Sequence, residues 1–112
     1  MMDSIQVGNW PDEPPRTYQL IEIIRSLAAS GRLVLLDHAE ERMYERDIDM
    51  NDILTVLRIG EIVGPIEAGR KADEWKCKVT ASPNLNSGRE IGVVTIVMSA
   101  SRLLIKTVEW ED

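Results

Sequence analysis

The chain is predicted to fold as an α+β domain, with three N-terminal helices packed on one face of a four-stranded antiparallel β-meander. Three observations predict this. Apolar residues recur at three-four spacing up to Gly60 and at alternate positions in the strand-like runs after it. Turn-forming stretches separate the apolar runs of the second half. The order helix, helix, helix, then strands is that of helices stacked on one face of an antiparallel sheet.

With 112 residues, 44% of them hydrophobic, one domain with a single core is expected. Residues 1–15 end in PDEPP, where the prolines exclude a helix or central strand. They read as an extended arm, and its Trp10 is expected to dock on the domain or on a second subunit. Residues 16–112 are the domain. Thr17 is placed to cap a helix running to about Ser30, with Leu20, Ile23, Ile24 and Leu27 as its buried stripe and Gly31 as its stop. Leu33 to Leu36 reads as a short apolar connection. Asp37, supported by Glu40, is the expected N-cap of a second helix ending near Asp47. Asp49 with Asp52 starts a third, which packs through Ile53, Leu54, Val56 and Leu57 and ends at Gly60.

Four strands follow. EIVGPIEA is confined by Pro65 to an edge or a bulge. EWKCKVTAS alternates, with Trp75, Cys77, Val79 and Ala81 on one side and Glu74, Lys76, Lys78 and Thr80 on the other. PNLNSGRE is a loop. IGVVTIVM is apolar on both faces, which suits a central strand covered at least partly on both sides. Ala100 and Ser101 make a tight turn into RLLIKTVEW.

The single cysteine, Cys77, excludes a disulfide or a cysteine-based zinc site within one chain, and with one histidine no metal or other cofactor is expected. Apolar runs are too short for a membrane span and no signal peptide is evident, so the default compartment is the cytoplasm. The net charge of −6 argues against a general polyanion binder. The charge is uneven, however. Residues 37–52 carry seven acids against Arg42 and Arg46, and residues 53–108 carry five acids and eight bases.

The second helix holds the one arrangement that looks like chemistry. His38, Arg42 and Arg46 fall on one stripe at i, i+4 and i+8, beside an apolar stripe of Ala39 and Met43. An imidazole can move a proton at neutral pH and two guanidiniums can hold a phosphate. Together they are what cleavage of RNA by its own 2′-hydroxyl requires, without a metal. The competing reading is a solvated face, with Arg42 paired to Glu45 and Arg46 to Glu41 or Asp49. Lys76, Lys78 and Lys106 could complete an anion site, or simply face solvent and discourage edge pairing. Cys77 reads as a buried small hydrophobe. The Trp75 and Trp110 rings suit core packing better than base stacking.

The run HAEERMYERDIDMNDILTVLRIGEI resembles domain-of-unknown-function family 4258. The matching residues are His38, Ala39, Arg42, Met43, Arg46, Ile48, Leu57, Gly60 and Ile62, and Thr107-Val108 resembles the family's closing strand. The similarity runs from about Val34 to Val108. The chain departs from the family in its acidity and at Asp47, where Gly is frequent. The resemblance implies a BECR-fold, RelE- and barnase-like ribonuclease. By that resemblance His38 would be the acid or base and Arg42 and Arg46 the phosphate holders; Lys76, Lys78 and Lys106, read from their strand positions, and Thr107 are the candidate substrate contacts.

Two functions from different classes are therefore expected candidates. One is a metal-independent endoribonuclease, the toxin of a toxin–antitoxin pair, with RNA and an antitoxin protein as partners. The other is a non-catalytic module that binds a basic protein, or RNA without cutting it. In that case the edge near Pro65 or the apolar first helix would be the contact, and the same surface could form a homodimer.

Overall fold

The computed structural model describes residues 13–71, 73–84, 88–98 and 101–112. Trp10, most of the expected arm, the middle of the PNLNSGRE loop and Ala100 lie outside the described residues. In chain order the elements are α1 (Thr17–Ala29), β1 (Leu33–Leu35), α2 (Asp37–Arg46), α3 (Met50–Ile59), β2 (Glu61–Ala68), β3 (Glu74–Ala81), β4 (Ile91–Met98) and β5 (Arg102–Trp110).

The expectation of a four-stranded antiparallel meander is corrected. Strands β2 to β5 do pair antiparallel in sequence, but among the described residues the sheet has five strands in the order β1-β5-β4-β3-β2 and is mixed. Residues Leu33–Leu35, expected to be a connection, form β1. This strand lies parallel to β5, with Leu33 beside Leu103 and Leu35 beside Ile105. Nor are the three helices one N-terminal block, because β1 separates α1 from α2. A three-residue strand is too short for alternation to reveal itself, and its partner lies some 70 residues away. Parallel pairing requires a long connection, which the rest of the domain supplies.

Helix starts follow local hydrogen bonding. α1 is capped one residue earlier than expected, at Arg16, whose backbone N–H donates to Gln19 Oε1 at 3.0 Å. α2 also starts one residue early, with Leu36 as N-cap. The Leu36 N–H is still bonded to Ile105 O, so the chain passes from strand to helix without a loop. Asp49 caps α3 as expected: it accepts from the Asp52 N–H at 2.8 Å, and Asp52 accepts from the Asp49 N–H at 3.1 Å.

The core lies between the helices and one face of the sheet. Leu20, Ile24, Ile53 and Leu57 from the helices meet Val79, Val93, Leu103 and Ile105 from the strands, all fully buried. β4 is a central strand, but helices cover only one of its faces; Val94, Ile96 and Met98 on the other are half-buried. Pro65 sits in β2, which is both an edge strand and irregular in register between Val63 and Glu67, where Gly64 adopts φ +76°. Gly60 has a different reason to be glycine. A Cβ there would lie 2.5 Å from Val56 O and 2.7 Å from Thr80 O, so α3 meets β3 with no room for a side chain.

Candidate functional site

The periodicity of α2 orients it as expected. Ala39 is fully buried and Met43 packs against the core, which turns the neighbouring stripe of His38, Arg42 and Arg46 outward or sideways. The three residues then meet different fates. The His38 side chain is about half exposed, and its Nδ1 stands 4.0 Å from Glu41 Oε1, too far for a hydrogen bond. Arg42 pairs with Glu45 one turn on, the solvated-face arrangement considered from the sequence. Arg46 pairs with neither Glu41 nor Asp49 in the manner considered there. Its Nη1 donates to the backbone carbonyl of Val108 at 2.7 Å.

That bond has a clear physical purpose. β1 covers the outer edge of β5 only as far as Ile105, and α2 runs beside the remainder. Carbonyls on an uncovered edge need donors. Arg46 supplies one to Val108, and Trp110 Nε1 returns a bond at 2.9 Å to the Arg46 carbonyl near the end of α2. Arg89 lies over the Trp110 ring, 4.0 Å from its centroid, and is held there by Asp112 at 2.9 and 3.1 Å. Trp75 is buried and Trp110 half-buried, in keeping with core packing for both rings.

The lysines stand elsewhere. Lys76 and Lys78 project from β3 on the sheet face away from the helices, two strands from β5. Lys76 is 3.5 Å from Glu67, and Lys78 lies 2.8 Å from Glu111 and 3.5 Å from Glu109. The hydrogen bond that Lys78 donates to Glu111 holds its ammonium above the usual lysine pKa. The hollow beside these lysines is lined by Val63, Gly64, Pro65, Glu67 and Val94, and by none of the three α2 residues. Lys106 is exposed and is the extra residue of a bulge, since Val94 pairs with Thr107 but Thr95 pairs with Ile105. Thr107 is half-buried beside it. The α2 stripe and the β3 lysines therefore do not share that hollow. Burial pushes the Cys77 thiol up to about 12, which makes it an inert part of the core.

A different hollow was not expected from the sequence. An open groove of about 490 Å³ lies between α2 and the start of α3. Leu35, Met43, Tyr44, Ile48 and Met50 provide its apolar lining. Glu40, Asp47 and Asp49, all exposed, stand around it. Tyr44 is 91% exposed. The one sequence signal for it was a tyrosine placed off the buried stripe of an otherwise polar helix. Asp47 is the C-cap of α2 at φ 55°, ψ 48°, a left-handed conformation that is easiest for glycine.

Among the described residues, no helix is long and apolar enough to cross a membrane, and no three or more His, Cys, Asp or Glu side chains cluster as a metal site would require. Comparison with known proteins found no matching family model, no matching curated protein and no matching solved structure.

Proposed function

We propose that this protein is a non-catalytic interaction module that binds a basic protein partner. The observation that carries this reading is the placement of Arg46. A residue whose guanidinium is bonded to a β5 carbonyl is part of the scaffold, and moving it to a phosphate would break a charge-assisted hydrogen bond. Lys76 and Lys78 are likewise held by carboxylates. With net charge −6 and these cations engaged, attraction to a basic protein is favoured over attraction to a nucleic-acid backbone. The contact is not the apolar stripe of α1, which is buried in the core. The irregular β2 edge near Pro65 remains exposed and is available to a partner or a second copy.

One observation favours a second reading, the metal-independent endoribonuclease of a toxin–antitoxin pair. The half-exposed His38 imidazole lies one turn from Arg42, whose surface pair with Glu45 is worth only about 0–1 kcal/mol and could yield to a phosphate. Expression in bacterial cells separates the two readings. The interaction module is expected to leave growth the same for wild type and His38→Ala. Growth arrest by the wild type that His38→Ala relieves would replace it with the nuclease.

A further inference from the structure

We infer that the groove between α2 and α3 is the docking site, and that it takes a segment of another protein bearing lysines or arginines around aliphatic anchors. This rests on the interaction-module reading and adds to it the place of contact and the chemistry of the partner.

The apolar part comes first. Met43 and Met50 flank the groove, and Ile48 closes its floor as a buried residue. Methionine side chains are unbranched and polarisable, so a surface built from them adapts to aliphatic partners. Tyr44 stands at the rim with 91% of its surface in water. A tyrosine has few rotatable bonds to immobilise and a large apolar area to bury, which is why such residues dominate binding energy at protein interfaces.

The charge around this surface is of one sign. Glu40, Asp47 and Asp49 line the groove and no lysine or arginine does. The two cations of α2 are directed elsewhere, Arg42 to Glu45 and Arg46 to Val108 O. An apolar ligand with cationic flanks would bury the methionines and tyrosine and bring its charges against three carboxylates. An acidic ligand would meet repulsion at the same positions. The side chains of the chain's own residues 1–12 include Asp3 and Asp12 and no lysine or arginine, so they lack the complementary charge. A second copy carries the same net −6.

Three synthetic peptides of about 14 residues serve as probes, long enough for a helix of roughly 20 Å. One is a leucine/lysine amphipathic peptide, one a leucine/glutamate counterpart and one a serine/lysine control without apolar anchors. Each is titrated into isotope-labelled full-length protein and followed by amide and methionine-methyl NMR shifts. Only the leucine/lysine peptide is expected to bind, with the largest shifts at Met43, Tyr44 and Met50. Tyr44→Ser is expected to weaken that binding by tenfold or more. Asp47→Asn, which tolerates the left-handed conformation, is expected to weaken it a few-fold and to reduce its salt dependence.

Equal binding of the serine/lysine control would overturn the inference, as would shifts confined to the β2 edge or to the open sheet face. Absence of binding by the leucine/lysine peptide would overturn it too. Groove shifts that appear on concentrating the protein alone would assign the site to a second copy instead. Failure of the underlying reading looks different: it is RNA cleavage that depends on His38, whatever the peptides do.

Discussion

Replacing Arg46 by methionine separates a scaffold role from a phosphate-holding role. Methionine keeps much of the apolar stem and removes the guanidinium, so the Val108 carbonyl loses the donor it has at 2.7 Å. Val108 is fully buried, and its carbonyl lies where β1 no longer covers β5. Hydrogen bonds from charged donors contribute about 1.5–3 kcal/mol. Arg46 is only half-buried, so the low end of that range applies, and a loss of roughly 1.5 kcal/mol is expected. For a domain of this size that lowers Tm by roughly 6 °C. Arg42→Met is the control, because its pair with Glu45 lies at the surface and its loss is expected to change stability by less than about 0.5 kcal/mol. Thermal and urea unfolding of both variants, followed by circular dichroism, gives the comparison. Equal stability of Arg46→Met and Arg42→Met would refute the scaffold role.

Other consequences are as direct. Gly60→Ala would place a Cβ 2.5 Å from Val56 O and 2.7 Å from Thr80 O, neither of which can swing aside, so urea unfolding is expected to show a loss of about 1–3 kcal/mol. The Cys77 thiol stays protonated in the fold up to about pH 12 but ionises near 9 when unfolded. Stability is therefore expected to fall as pH rises from about 9 toward 12, and alkylation by iodoacetamide at pH 8.5 is expected to follow global unfolding; fast labelling of native protein would contradict this. Lys78 has a folded pKa above 10.5, so its stabilising pairs are fully present below about pH 10.5 and are lost as pH climbs through the folded value. Lys78→Met should make the alkaline unfolding profile shallower. Tyr44→Ser, at a side chain 91% in water, is expected to leave Tm within about 2 °C of wild type, and a larger drop would mean the tyrosine supports the fold.

Much of this fold could be read from periodicity. The stripe Leu20, Ile23, Ile24, Leu27 became the buried face of α1, and the alternation of Trp75, Cys77 and Val79 became the inner face of β3. Asp49 and Asp52 announced the start of α3 through a local exchange of hydrogen bonds. β1 was illegible for a physical reason: three residues carry no usable period, and its pairing with β5 depends on residues far along the chain. The β5 bulge left only a faint trace. Its inward residues run Leu103, Ile105, then Val108, a step of three where a regular strand takes two. The candidate site was legible as a stripe but not in its partners. Spacing placed Arg46 beside His38 and Arg42, while the carbonyl that captures it is 62 residues away. Nor could spacing reveal that Glu111 and Glu109 would hold Lys78, or that Met43 and Met50 would face one groove.

The most direct test of the non-catalytic account is cleavage of RNA by the purified protein in EDTA, with and without ribosomes, beside His38→Ala. The wild type is expected to cleave no faster than His38→Ala under either condition. Cleavage by the wild type that disappears in a folded His38→Ala protein would contradict the account and make α2 the active face of a ribonuclease.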